Sequence, residues 1–224
     1  MKLALFDLDH TLLPIDSADT WSHFLVRVGG LDADAFSARI REFAEQYRAG
    51  NFDVPGYVRF QMDMLSRFDR ADLERWRAEF VVSHVEPHLV PQARALVERH
   101  RADGFEVALI SGTHAWVTTP IARPLGLAHV IGYHPEERDG RFTGGHVGVP
   151  TYGEGKVAAV ADWLAARGLT FDDVYTVFYS DSINDLPLLE RVNEPVVTNG
   201  DPQLRAIAAA RGWRTLVLFE LAQA

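Results

Sequence analysis

Asp7 and Asp9 stand one residue apart at the end of an apolar run, Leu3-Ala4-Leu5-Phe6, and Thr11 follows two positions later. In an extended strand, residues two apart face the same way, so both carboxylates can converge on one point just past the strand end. Carboxylates held that close repel each other unless a cation or a shared proton stands between them. The pattern points to a hard metal such as Mg2+, which prefers oxygen ligands, and to one carboxylate free to attack an electrophile. A polar turn in which Asp9 and Thr11 merely cap backbone groups has the same local sequence. The rest of the chain has to separate the two readings.

Three further groups bear on that choice. Ser111-Gly112-Thr113 closes an apolar run from Phe105 to Ile110, and glycine there lets backbone approach a ligand closely. Ser180-Asp181-Ser182-Ile183-Asn184-Asp185 closes another, from Val174 to Phe178. Asp181 also suits the N-cap of a following helix. Lys156 comes after Gly153-Glu154-Gly155, at a predicted helix start, where the helix dipole disfavours a cation unless an anion lies nearby.

The elements that position these groups follow from periodicity. Leu3–Phe6, Phe105–Ile110 and Val174–Phe178 read as buried parallel strands, with shorter strands at 130–133, 195–197 and 215–218. Helical patterns lie between them, including one broken at Pro120 or Pro124 and one over 202–211. Asp139-Gly140 predicts a hairpin over 134–149. Strands alternating with helices predict an α/β fold, a doubly wound, mostly parallel Rossmann-like sheet covered on both faces. Sites in such sheets form beyond the carboxyl ends of the strands, so three polar strand ends in distant parts of the chain can share one rim. Residues 16–87 interrupt the alternation with four amphipathic, aromatic-rich helices and read as an inserted all-helical cap. The core domain is then 1–15 and 88–224.

Composition narrows the function. The 224 residues carry a formal charge of −9, with 47% hydrophobic and 24% charged residues, and no cysteine. That excludes disulfides and thiolate chemistry and argues against a nucleic-acid surface. No apolar run approaches the roughly 18 residues of a membrane span. A cytoplasmic protein with no membrane or nucleic-acid partner is the expectation. The aromatic helical face suits core packing, or alternatively a homodimer contact.

Taken in order, Asp7-Leu8-Asp9-His10-Thr11, Ser111 after its strand, Lys156 and Ser180–Asp185 resemble the four motifs of the haloacid dehalogenase (HAD) superfamily of phosphohydrolases. The position of the insert resembles the cap of the phosphoserine-phosphatase-like branch. The resemblance implies that Asp7 is a nucleophile forming an aspartyl-phosphate, and that Asp9 is its general acid and base. It implies Mg2+ held by the Asp7 and Asp181 side chains and the Asp9 main-chain carbonyl, with Asp185 orienting metal-bound water. Ser111, with the Gly112 and Leu8 N–H groups, would bind phosphoryl oxygens, Lys156 would balance charge, and Thr11 would orient Asp9. Asp16 matches a cap carboxylate that meets the substrate amine, but the family's phosphoserine enzymes carry the longer Glu there. Arg59 is a candidate for a substrate anion. Family ATPases carry threonine at the Asp9 position, so aspartate favours a phosphatase acting on a small phosphorylated metabolite, phosphoserine- or histidinol-phosphate-like. Transfer to an acceptor, as in a phosphotransferase or phosphomutase, and a non-catalytic phospho-receiver or binding module are the alternatives.

Overall fold

The computed structural model describes residues 1–220, and the chain forms two compact units. In chain order the elements are β1 (Lys2–Phe6), α1 (Ser17–Gly29), α2 (Ala33–Ala49), α3 (Val54–Ser66), α4 (Arg70–Phe80), α5 (Pro91–Ala102), β2 (Glu106–Ile110), α6 (Ala115–Ala122), β3 (His129–Ile131), β4 (His134–Arg138), β5 (Arg141–Val147), α7 (Glu154–Ala165), β6 (Tyr175–Ser180), α8 (Leu186–Arg191), β7 (Glu194–Thr198), α9 (Pro202–Arg211) and β8 (Arg214–Leu216). None of these helices is long and apolar enough to cross a membrane.

The first unit comprises Met1–Asp16, His88–Tyr133 and the chain from Gly148 onwards. Its sheet has six parallel strands in the order β3-β2-β1-β6-β7-β8. β1 is central because Leu3, Ala4, Leu5 and Phe6 are all fully buried, which only a strand covered on both faces allows. Leu3, Leu5, Ala108, Ile110 and Phe178 meet Val160 and Leu164 of α7, Leu188 of α8 and Leu204 of α9 on one face. On the other, Phe6 stacks on Tyr179 at 4.9 Å and meets the edge of His100 from α5 at 5.7 Å. Strand order reverses between β1 and β6, which is where open α/β sheets form their crevice.

The second unit comprises Ser17–Pro87 and His134–Val147. The four amphipathic helices expected from the sequence are α1 to α4, and Asp32 caps α2 by accepting from the Ala35 N–H at 3.0 Å. Trp21 and Phe24 pack on Phe80 at 5.2 and 5.5 Å, and Phe43 packs on Tyr57 and Phe60 at 5.3 and 5.5 Å. The hairpin turns at Asp139-Gly140, both with positive φ (50° and 74°), the conformation a two-residue primed turn needs. The hairpin packs on α3 through β5, and Arg70 lies over the Phe142 ring at 4.1 Å, so this unit holds a hairpin besides its helices. α6 runs through Pro120 and ends at Ala122, just ahead of Pro124.

Candidate active site

The sheet register brings the site together. Phe6 pairs with Leu109 of β2 and Tyr179 of β6, so one residue further on Asp7 lies level with Ile110 and Ser180. Three strands therefore end together, and the polar clusters after them share one rim.

Asp7 is 6% exposed and Lys156 3%. The Lys156 Nζ donates to Asp7 Oδ1 and to Asp185 Oδ2, each at 2.7 Å. Lys156 sits in the first turn of α7, and these two carboxylates are the anions that offset the helix dipole there. Asp185 Oδ2 also accepts from the Ser180 hydroxyl at 2.6 Å. Thr11 Oγ1 lies 3.2 Å from Asp7 Oδ2 and 3.0 Å from Asp181 Oδ1, and it accepts from the Asp181 N–H at 3.0 Å. One hydroxyl proton serves only one of those two carboxylates at a time. The Thr113 hydroxyl donates to Asp9 Oδ2 at 3.0 Å, and the Thr113 N–H donates to Ser111 Oγ at 3.1 Å. The Thr151 hydroxyl donates to the Ser111 carbonyl.

Burial sets the electrostatics. It pushes the Asp7 carboxyl up to about 6; Lys156 opposes that rise, Asp185 adds to it, and the Leu8 N–H opposes it. Asp181 is held well above the ordinary carboxylate range, first by burial and then by Asp7 and Asp185. Burial pulls the Lys156 ammonium down, but Asp185 and Asp7 outweigh it and hold the group above its usual range. Three carboxylates, Asp7, Asp181 and Asp185, thus surround one ammonium. Among the described residues no three Asp, Glu or His side chains gather closely enough to hold a metal by themselves. Two carboxylates that share one hydroxyl nevertheless make a hard-oxygen donor pair with charge to spare. A divalent cation completed by main-chain oxygen and water fits such a pair.

The model of the haloacid dehalogenase-like hydrolase family matches residues 4–190. The chain belongs to that family. It is an HAD-type phosphatase. A histidinol-phosphatase from Neisseria meningitidis serogroup C is 38% identical over 96% of this chain and 98% of its own length. A crystal structure of a protein from Bordetella pertussis Tohama I is 44% identical, with a TM-score of 0.91 over 97% of this chain and 99% of that one. A phosphoserine phosphatase solved as a phospho-aspartyl intermediate analogue shares the fold, with a TM-score of 0.66 at 18% identity over 98% of this chain and 94% of that one.

Within this HAD core the expected residues fall as follows. Asp7, Leu8, Asp9, Thr11, Ser111, Gly112, Lys156, Asp181 and Asp185 all lie on the loops just past β1, β2 and β6 or in the first turn of α7. Asp185, expected beside metal-bound water, is engaged by Lys156 and Ser180. Asp16 is an exposed residue of the first unit, and Arg59 an exposed residue of α3 in the second. Thr113 and Ser180 stand in the polar clusters expected after β2 and β6, but their contacts with Asp9 and Asp185 were not foreseen, and Thr151 was not singled out, because a short hydroxyl residue in a loop has no spacing signature.

Asn199 and Asp201 were missed as well. Asn199 Nδ2 donates to the His10 and Thr11 carbonyls at 2.9 and 3.2 Å. Asp201 Oδ2 accepts from the Ile183 N–H at 2.6 Å, and its own N–H donates to the Asp181 carbonyl at 2.7 Å. These two residues tie down the loops that carry Asp9 and Asp181. A signal for them existed, since Asn199-Gly200-Asp201 is a fourth polar cluster directly after an apolar strand.

The loop before Lys156 is packed to its limit at Gly155, where an added Cβ would lie 2.0 Å from the Pro150 carbonyl oxygen. Backbone has to shift to admit it. Gly155→Ala is expected to lower stability by about 1–3 kcal/mol, as overpacking does, read as a fall in the urea midpoint with an unchanged slope. An unaltered midpoint would show that the loop yields freely.

Proposed function

We propose that this chain is a Mg2+-dependent phosphomonoesterase that acts on a small amino-alcohol phosphate through a phosphoryl group carried on Asp7. The observation that supports it best is the buried Asp7 carboxylate, held by Lys156 at 2.7 Å on a rim that also carries Asp9, Ser111 and Asp181. Asp7 attacks phosphorus in line, and the bond from phosphorus to the alcohol oxygen breaks as Asp9 passes its proton to that oxygen. Water then attacks phosphorus, Asp9 takes the water proton, and the bond from phosphorus to the Asp7 oxygen breaks. Inorganic phosphate leaves and both carboxyls return to their starting forms. The Ser111 hydroxyl and the Gly112 and Leu8 N–H groups bind phosphoryl oxygens. Mg2+, held by the Asp7 and Asp181 carboxylates and the Asp9 carbonyl, would supply charge neutralisation between the carboxylate nucleophile and the phosphoryl oxygens. Lys156 keeps Asp7 anionic, and Asp185 and Ser180 keep Lys156 in place.

Histidinol phosphate is the favoured substrate over phosphoserine. The support is the relative from Neisseria meningitidis, which is named a histidinol-phosphatase, and the short side chain of Asp16 where phosphoserine enzymes of the family carry Glu. Phosphate release from both compounds, with Mg2+ and no acceptor alcohol, tests the reading. Turnover of histidinol phosphate is expected, with a fall of about tenfold or more on chelation and recovery when Mg2+ is restored. Release that requires an added acceptor would make the chain a phosphotransferase, and no release from either ester would overturn the reading.

A further inference from the structure

Thr113 lies between the two halves of the proposed chemistry. It is 3% exposed, its hydroxyl donates to Asp9 Oδ2 at 3.0 Å, and its N–H donates to Ser111 Oγ at 3.1 Å. The backbone around it is held on both sides. The Thr151 hydroxyl donates to the Ser111 carbonyl, and the Ala115 N–H donates to the Tyr133 carbonyl at 2.8 Å as α6 begins. A hydroxyl on so fixed a frame has little freedom to follow a moving partner.

We infer that Thr113 is a positioning residue: its hydroxyl holds the Asp9 carboxyl in the orientation that proton transfer requires, and its N–H locks that orientation to Ser111. The inference rests on the acid–base role proposed for Asp9. With Oδ2 accepting from Thr113, the transferable proton of the neutral acid is carried on Oδ1, a single oxygen of fixed direction. As the bond from phosphorus to the leaving oxygen breaks, that proton goes from Oδ1 to the departing alkoxide. The link to Ser111 acts in parallel. Because Ser111 Oγ accepts from the Thr113 N–H, its own hydrogen stays available for a phosphoryl oxygen. One residue thereby sets the spacing between the group that grips phosphate and the group that protonates the alcohol. A misplacement of about 1 Å in such a pair can cost about 100-fold in rate.

The full chain in saturating Mg2+, as wild type, Thr113→Val, Thr113→Ser and Asp9→Asn, tests this with two esters. Histidinol phosphate has an alkyl leaving group that needs a proton; 4-nitrophenyl phosphate releases a phenolate that leaves without one. The ratio of kcat/KM for the two esters on one preparation cancels the folded fraction, so a poorly folded variant still gives an answer. It also reports only the steps up to loss of the alcohol, before water enters. Thr113→Val is expected to lower kcat/KM about 100-fold for the alkyl ester and less than about tenfold for the aryl ester, as Asp9→Asn should in kind. Thr113→Ser, which keeps the hydroxyl, should stay within about threefold of wild type on both. Equal losses on both esters, or no loss on the alkyl ester, would overturn the inference while leaving the phosphatase reading intact. A wild-type chain inert toward both esters would remove the reading on which it rests.

Discussion

Asp7→Asn is expected to stop phosphate release, by about 10⁴-fold or more, the scale lost when a nucleophile that works as part of a unit is removed. The amide keeps the shape of the carboxylate but has no charge with which to attack phosphorus. The same substitution is expected to raise the stability of the metal-free protein at neutral pH. Asp7 has its carboxyl pushed up from an ordinary 3.8 to about 6, chiefly by burial. The folded chain therefore binds that proton more tightly than the unfolded chain does. The stability this contributes is complete below pH 3.8 and is lost as pH rises through about 6. The wild-type protein in chelator should lose stability across that window, and Asp7→Asn should lose less. The decisive measurement is a set of urea midpoints from pH 4 to pH 8 beside a phosphate assay. A variant that retains turnover would remove Asp7 from the nucleophile's role. Parallel pH curves for the two proteins would remove the electrostatic account of its burial.

The second large effect is expected at Lys156. Its ammonium sits between Asp7 and Asp185, each 2.7 Å away, and all three groups are buried. Lys156→Met keeps the length of the side chain and deletes the charge. Two buried carboxylates then lose their shared partner, and breaking such a buried pair costs about 3–5 kcal/mol. Turnover is expected to fall by about 10²–10³-fold, the scale of losing one electrostatic contact to the reacting group. Adding Asp185→Asn to Lys156→Met should restore part of the stability and none of the activity, because it removes a stranded charge without returning the cation beside Asp7. Restored activity in the double variant would show that Lys156 acts only as a structural counter-ion.

Much of this arrangement can be read from residue types alone, for reasons visible at particular positions. Leu3–Phe6 is apolar without alternation because β1 is covered on both faces, and the acids come directly after it because the rim begins there. The amphipathic pattern of residues 17–80 is local to each helix, so α1 to α4 were legible as well. What periodicity does not carry is packing between remote segments. Asp139-Gly140 marks a hairpin, but nothing in its own residues says that β5 packs on α3 and that the hairpin joins the unit made by Ser17–Pro87. The partners of Asp185 were hidden for the same reason. Its contacts with Lys156 and Ser180 depend on where α7 begins relative to β6, and no spacing rule encodes that. Thr113 is hidden more deeply, since a threonine two residues past a strand end has many uses and only the 3.0 Å contact with Asp9 selects one.

The place of β1 also bears on how the chain comes to fold. β1 pairs on one side with β2, about a hundred residues later, and on the other with β6, more than 170 residues later. On a ribosome, this greasy segment emerges long before either neighbour exists. It waits about a hundred residues for β2 and keeps its other edge unpaired until β6 is made, a long-range closure of the kind that slows folding and exposes chains to aggregation. Assembly of the rim is therefore an all-or-nothing property of nascent chains: any product truncated before Asp181 carries Asp7 but lacks the loop after β6 against which it is set.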